Sequence, residues 1–434
     1  MRDRLQELLR LARTPLYANA NALVANQIVS AGLGFLYWIL AARVYSTATY
    51  GASSAVISTL LLISGIAQVG LGGGMTRFLP RAGHRARRLI LIAYAVVIAA
   101  SAVLSVAFVA FGGALGLRSV LGNGPFVALW VISASVAWSI FRLQDAVLIG
   151  LRQAKWVLIE NTIYNVTKLV VVVAGAGLLA DKGIVGSWFL PTPIVIVLCT
   201  TLIFGLYTRS SRLSPAPAGL PPLTVREIAT TSGGDHIGSL VGEAASRLLP
   251  LLVVGVLGAT ANAYFYTAWL IATTLSLLAG GMTDSFTAEA AGDRANIRRH
   301  SHDILRYMAL LILPAAAILG LGAPLILSLW NKSFGAEGAA LLRWLCLASP
   351  LIIFNNWYFA YARVMGRIPR VVWLQCVGAV LLLVPSYYLL RPLGIAGVGL
   401  AWIVSQAVVA VAGLVNSRDV FFGPGPIEMG ASSQ

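Results

Sequence analysis

A polar stripe runs along one otherwise apolar, membrane-length segment, WVLIENTIYNVTKLVVVV. Asn161, Asn165 and Lys168 are spaced i, i+4 and i+7, which places the three side chains on one face of an α-helix. An ammonium group attracts anions, and amides exchange hydrogen bonds with hydroxyl groups. Because no acidic residue lies three or four positions from Lys168, the sequence predicts that this charge is available to an anionic ligand.

Two pairs of opposite charges also lie inside apolar segments. Glu243 precedes Arg247 by four residues, and Arg142 precedes Asp145 by three, so each pair shares a helix face. A charge inside a membrane span costs roughly 2.5–3.5 kcal/mol and usually faces protein or water. Each pair is therefore either part of a binding cavity or an internal structural contact, and the residues leave both interpretations open. Two amides complete the predicted cavity lining: Asn355 and Asn356.

The segments that carry these residues are long enough to cross a membrane. The chain has 434 residues, of which 58% are hydrophobic and only 11% charged, and an apolar helix of about 20 residues spans a bilayer core. Period-2 alternation is missing, so helices are favoured over a β-barrel. The sequence predicts an all-α polytopic membrane protein with twelve spans, near 18–42, 52–74, 89–113, 125–149, 157–180, 187–207, 230–257, 261–283, 306–329, 340–364, 371–390 and 394–416.

The basic residues indicate the orientation of these spans. Of the 31 Lys and Arg residues, 22 lie in the segments on the side of the N-terminus and five in the opposite loops. By the positive-inside rule, both termini are cytoplasmic and the protein lies in the cytoplasmic membrane. The net charge of +16 therefore reflects topology and contact with membrane lipid, and no nucleic-acid partner is expected. The opening residues 1–17 read as a basic amphipathic segment on the membrane surface.

Enzymatic chemistry is disfavoured by what the loops contain. The predicted outer loops hold only two acidic residues, Asp181 and Glu337, in separate halves, which is too few for a metal site or an acid–base pair. The three cysteines, Cys199, Cys346 and Cys376, all lie inside apolar runs and form no metal-binding spacing. No metal or organic cofactor is expected, and coupling to a proton or sodium gradient is left open.

A Pro- and Ser-rich linker and three repeated markers indicate a duplicated chain. The markers recur in the same order at offsets of 207, 216 and 211 residues: GGMT at 73–76 and 280–283, Gly150 and Gly366, and GIVG at 183–186 with GIAG at 394–397. Three matches in register predict two parallel six-helix lobes around a central cavity, with GGMT at a helix end in each. The expected division is an amphipathic N-terminus at 1–17, an N-lobe at 18–207, a linker at 208–229, a C-lobe at 230–416 and a cytoplasmic tail at 417–434.

Three stretches resemble the polysaccharide (O-antigen-type) flippases of the multidrug/oligosaccharidyl-lipid/polysaccharide exporter superfamily. They are residues 21–80, which include VGLGGGMTRFLP, residues 323–350, APLILSLWNKSFGAEGAALLRWLCLASP, and residues 391–406, RPLGIAGVGLAWIVSQ. The family often has an acidic–basic pair just before the apolar end of its seventh helix. Here Glu243 instead stands four residues before Arg247.

The resemblance implies movement of a lipid-linked oligosaccharide, of the polyprenyl-pyrophosphate type, across the membrane by alternating access. It also implies glycosyltransferases or a polymerase of the same pathway as partners. Lys and Arg would meet the pyrophosphate, and the amides would meet sugar hydroxyls. The alternative is a multidrug or cation antiporter of the same superfamily, which would need buried carboxylates. A major-facilitator carrier ranks third, because residues 76–88 lack the acid of that family's loop motif.

Overall fold

The computed structural model describes residues 15–111, 125–210, 225–293 and 296–422, and its regular elements are helices. The chain divides into two compact units, Met1–His236 and Ile237–Gln434. This division falls inside a helix that begins at Val225, so the second unit starts later than the predicted C-lobe at residue 230. Residues 211–224 of the predicted linker lie outside the described part of the chain.

The described residues of the first unit form eight α-helices before the chain enters the helix that leads to the second unit. They are α1 Pro15–Val44, α2 Thr47–Ala67, α3 Leu71–Phe78, α4 Ala86–Phe111, α5 Pro125–Gly150, α6 Ala154–Leu178, α7 Gly183–Phe189 and α8 Thr192–Ser210. Helix α1 therefore already includes residues 15–17 of the predicted amphipathic segment, whose remaining residues are not described. Helix α6 carries the polar stripe, and it packs mainly against α1 and α7.

The described residues of the second unit form nine α-helices, the first of which begins in the first unit. They are α9 Val225–Leu257, α10 Ala259–Gly292, α11 Ile297–Leu321, α12 Ala323–Ser328, α13 Lys332–Leu347, α14 Ser349–Val364, α15 Ile368–Leu393, α16 Ala396–Asn416 and α17 Arg418–Phe422. The short α17 lies in the predicted tail, where Val420 is buried against α11 and α14 residues. Helices α15 and α16 form an antiparallel pair joined at Gly394, whose φ of 58° suits glycine alone among common residues.

The described residues contain eleven helical segments long and apolar enough to span a membrane, and twelve if one bent pair counts as a span. The bent pair is α13 and α14, which meet at 47°. Large apolar side chains are widely exposed on these helices, for example Val103 at 68% and Leu310 at 75%. A water-soluble protein would bury them, whereas a hydrocarbon solvent does not penalise their exposure. The all-α, multi-pass membrane fold is confirmed.

Several predicted continuous runs are broken helices. The predicted run at 187–207 is split between α7 and α8 at Pro191, and the run at 340–364 is split before Pro350. Proline lacks a backbone N–H and clashes with the preceding turn, so it favours the start of a new helix. Between α2 and α3 the break has a different cause, because Val69 and Gly70 adopt φ values of 45° and 75°.

The glycines of the GGMT marker predicted a helix end, but in both units the marker lies inside a helix. In the first unit it lies within the short α3, and in the second it lies inside the continuous helix α10. The two copies nevertheless share a local contact. The Thr76 hydroxyl donates to the Gly73 carbonyl at 2.9 Å, and the Thr283 hydroxyl donates to the Gly280 carbonyl at 2.8 Å.

Candidate functional site

Lys168 is buried in the first unit, with 4% of its surface exposed. Its Nζ atom lies 4.6 Å from the ring centroid of Tyr37, 4.5 Å from that of Trp188 and 5.3 Å from that of Tyr164. We call these three rings the aromatic cage. Among the described residues no carboxylate forms an ion pair with Lys168, so the ring faces supply its electrostatic stabilisation, at about 2 kcal/mol for a desolvated contact.

Hydrogen bonds fix the rings of the aromatic cage. The Tyr37 hydroxyl lies 3.0 Å from the Ile184 carbonyl oxygen and 2.8 Å from Ser187 Oγ, which ties α1 to α7. The Tyr164 hydroxyl donates to the carbonyl of Trp188 at 2.9 Å, which ties α6 to α7. Helix α7 therefore carries one ring of the cage and holds the other two.

A glycine allows α7 to lie this close. A Cβ atom at Gly183 would stand 1.9 Å from the Tyr45 hydroxyl oxygen, and that hydroxyl donates to the Val172 carbonyl of α6 at 2.8 Å. Any larger residue at position 183 must displace Tyr45. The first glycine of the GIVG marker thus has a packing role beside the cage.

The two asparagines of the stripe have different surroundings from Lys168. Asn165 is buried, and its amide donates to the Asn161 carbonyl one turn earlier at 2.8 Å. The Asn161 amide donates to Asp145 Oδ1 on α5 at 3.0 Å. The stripe predicted from spacing is therefore divided, with its lysine in the aromatic cage and its first amide on a carboxylate.

Asp145 lies beside a second acid, Glu160, that the sequence reasoning missed. Glu160 is 5% exposed, and its carboxyl group interacts with that of Asp145, which is half-buried. The Cys199 thiol contacts Glu160 Oε2, and Glu160 Oε1 finds no N–H or hydroxyl donor among the described residues. Two neighbouring carboxyl groups repel each other when both are ionised in a low-dielectric interior, so this pair favours one shared proton.

Arg142 is an electrostatic neighbour of Asp145 and partly offsets the remaining charge of the pair. The predicted Arg142–Asp145 contact is thus one part of a larger group that also contains Glu160 and Asn161. The available signal was Glu160 itself, an acid inside a membrane-length run, which lies directly before Asn161 in the sequence. Charged residues in such runs face a protein interior or water.

The candidates of the second unit are either partly exposed or have hydrogen-bond partners. Arg247 and Glu243 form an ion pair at 3.8 Å, and their side chains are 35% and 33% exposed. The Asn355 amide donates to Gln406 Oε1 on α16 at 2.8 Å, a partner that the sequence analysis had not named. The Asn356 amide donates to a carbonyl of its own helix at 2.8 Å.

The described residues contain no group of three His, Cys, Asp or Glu side chains placed to hold a metal ion. The described residues of the first unit instead offer a buried ammonium without an ion-pair partner and a carboxyl pair that has Asn161 and Arg142 beside it.

The chain shares its fold with solved transporters of low sequence identity. It resembles a multidrug resistance MATE family transporter of the MOP superfamily in an inward-facing conformation, with TM-score 0.65 and 16% identity over 92% of this chain and 94% of that one. It also resembles a MOP superfamily transporter from Pyrococcus furiosus with a binding pocket of reverse polarity, with TM-score 0.64 and 15% identity over 94% and 96%. The lipid II flippase MurJ, in an inward closed conformation, superposes with TM-score 0.66 and 12% identity over 92% and 87%.

No protein-family model matches the chain, and no curated protein matches it in sequence. The structural likeness, at these identities, concerns the fold.

Proposed function

We propose that this protein is a membrane transporter that flips a lipid-linked oligosaccharide, carried on a polyprenyl pyrophosphate, from the cytoplasmic to the outer leaflet. The fold supports transport, because the similar structures include MATE transporters and a lipid flippase. In this proposal the protein lies in the cytoplasmic membrane with both termini inside. Its partners are the lipid-linked substrate and the enzymes that make or polymerise it.

The charge of Lys168 carries the proposal. A buried ammonium without a carboxylate partner is costly, and a transporter retains such a group at low cost only where an anionic cargo interacts with it. The acids of the same unit have their own partners, since Asp145 and Glu160 favour one shared proton and Asn161 donates to the pair. A cationic cargo would instead need an excess of buried negative charge.

Exposure of Lys168 requires the aromatic cage to open. In the present conformation Tyr37 and Trp188 cover the ammonium group. Helix α7 is a short segment between Ala180, whose φ is 45°, and the break at Pro191. Displacement of α7, which carries Trp188, would uncover Lys168. Helix α7 would then be the element that moves during alternating access.

Drug or cation export is the second candidate. The observation in its favour is that several similar structures are multidrug MATE transporters. In that case the Asp145–Glu160 pair would lose its shared proton and act as the cation-binding group. Export of a cationic dye by the wild-type protein, without movement of a lipid-linked saccharide, would select this candidate.

The decisive variant is Lys168→Met, which keeps the length of the side chain and removes its charge. We expect translocation of a fluorescent polyprenyl-pyrophosphate saccharide in vesicles to be abolished, because the anionic group loses its counter-charge. The melting temperature should stay equal or rise, since no carboxylate loses a partner. Lys168→Arg should retain part of the activity.

Lys332→Met is the matched control, because Lys332 is an exposed lysine at the start of α13, outside the aromatic cage. It should leave translocation unchanged. Full translocation by a stably folded Lys168→Met protein would contradict the proposed role of Lys168.

A further inference from the structure

One end of the first unit carries seven exposed basic side chains on two neighbouring turns. We call this set the basic face: Arg77, Arg81, Arg85, Arg87, Arg88, Arg152 and Lys155. None of the ion pairs among the described residues involves any of the seven. We propose that the basic face binds the phosphate headgroups of acidic phospholipids in the leaflet that it touches.

The two turns are joined by a shared apolar core. Between α3 and α4, Leu79, Ala82 and Ala86 point inward and are buried, while the arginines that alternate with them are exposed. The same core includes Leu148 and Val157 from either side of the α5–α6 turn. Packing on one core therefore holds both sets of cations on one surface.

Gly150 sets the distance between the turns. A Cβ atom there would lie 2.6 Å from the Met75 carbonyl oxygen and 3.1 Å from Leu79. Because backbone cannot move away as a side chain can, only glycine allows α5 to end against α3. The arginines after Met75 and the basic residues after Gly150 are thereby kept adjacent.

No acidic residue lies in the two stretches of sequence that carry the seven cations, and the flanking acids Asp145 and Glu160 interact with each other. Residues 71–111 and 146–159 contain no Asp or Glu. Arg87, Arg88 and Lys155 also lie in or near the first turns of α4 and α6, where the partial positive charge of the helix terminus repels cations. The seven cations and the partial positive charges of the two helix N-termini together favour a bound anion.

The corresponding connection of the second unit is electrically balanced. Residues 284–306, between α10 and α11, contain four arginines and four acidic residues. Arg299 lies 3.8 Å from Asp303, and His300 lies between Glu289 and Asp293. The turn between α14 and α15 also lacks acidic residues, but of its three arginines only Arg370 is exposed, and Arg367 donates to the Asn416 carbonyl at 2.8 Å. The larger exposed set of unneutralised cations therefore lies in the first unit.

A membrane lipid fits this face better than a soluble anion because of what adjoins it. Leu91 and Ile92, one turn into α4 from Arg88, are 48% and 36% exposed and face the apolar solvent. Lys155 Nζ lies 5.8 Å from the ring of Trp156, an aromatic residue type common at membrane interfaces. The cations thus lie at the boundary where acyl chains end and headgroup phosphates begin.

The test compares two double variants with the same loss of charge. Arg81→Gln with Arg85→Gln removes two cations of the basic face, and Arg299→Gln with Arg306→Gln removes two from the balanced connection. Each protein is reconstituted in nanodiscs of phosphatidylcholine with and without phosphatidylglycerol, and bound phosphatidylglycerol is measured by native mass spectrometry. At about 1 kcal/mol per cation, the first variant should bind phosphatidylglycerol roughly 30-fold more weakly, and the control should match the wild type.

Thermal stability is a second readout. Phosphatidylglycerol should raise the melting temperature of the wild type and the control, and this rise should be lost in the Arg81/Arg85 variant. Equal binding by all three proteins, or equal loss in both variants, would overturn the proposal. Displacement of the lipid by inorganic phosphate at equal concentration would also overturn it, because it would assign the face to a soluble anion.

Discussion

The two units bury ionisable groups in different ways. In the first, Lys168 and Glu160 are 4% and 5% exposed, and the groups that each of them contacts come from other helices: aromatic rings for Lys168, and Asp145 and Cys199 for Glu160. In the second, Glu243 and Arg247 are about one-third exposed and pair with each other along a single helix. The first arrangement depends on tertiary packing, and the second needs only helix formation.

This difference shows where loss of a charged group will matter most. A group held by three helices contributes to the packing of all of them, and its loss leaves its partners unsatisfied in a low-dielectric interior. A half-exposed pair one turn apart is solvated in either case. The variants below test this contrast in order of decreasing effect.

Removal of one carboxyl from the buried pair should have the largest effect. Glu160→Ala leaves a gap beside Cys199 and Asp145 in a packed interior, so we expect destabilisation of roughly 3 kcal/mol. Glu243→Ala, the matched change in the second unit, should cost under about 1 kcal/mol. Chemical unfolding in detergent measures both, and equal costs would refute the contrast between the units.

The turns before α6 and α15 give an intermediate effect. Arg152 has a φ of 59° and Gly366 a φ of 71°, and both follow the fourth long helix of their unit. Gly366→Ala should destabilise the protein by about 1–2 kcal/mol, because a Cβ atom disfavours this backbone region. Arg152→Gly relieves strain but adds freedom to the unfolded chain, so its cost should be near zero. A larger cost for Arg152→Gly than for Gly366→Ala in melting experiments would show that these turns are not equivalent.

The smallest effect concerns Asp293 at the end of α10. A hydrogen bond from the Asn296 amide at 2.9 Å lowers the pKa of Asp293 below its ordinary value of 3.8, and His300 adds to the shift. The carboxylate form is therefore stabilised above pH about 4, and this contribution is lost as the pH falls through the lowered pKa. Asn296→Ala should move the pKa back toward 3.8 in a carboxyl carbon NMR titration. An unchanged titration curve would show that Asn296 does not determine it.

The fold was largely predictable because its signals are local. Apolar length and the absence of period-2 alternation indicate membrane helices, and each is read within a window of about 20 residues. Pro191 and Pro350 mark the helix breaks in the sequence, but each lies inside a continuous apolar run, and such a run predicts an unbroken helix. The prediction that GGMT marks a helix end was wrong because a glycine pair is compatible with both a helix end and a helix interior. Only packing decides between the two.

The site was predictable only in part. The spacing of Asn161, Asn165 and Lys168 placed them on one face of a helix that the structure contains. Their surroundings depend on contacts between distant parts of the chain, such as Tyr37 with Lys168, and no local pattern encodes them. Glu160 was overlooked because it lies off the stripe, although its charge alone marked it as a residue with an interior partner.

The carboxyl pair also has a consequence for how the protein enters the membrane. Asp145 and Glu160 stand on opposite arms of the α5–α6 hairpin, a few residues from a turn of three residues at 151–153. During biosynthesis a lone ionised acid hinders lateral release of a helix into lipid. Once both arms have emerged from the ribosome, a shared proton and the Asn161 amide lower the free-energy cost of placing the two acids in lipid. We therefore expect the two helices to leave the insertion machinery together as one hairpin.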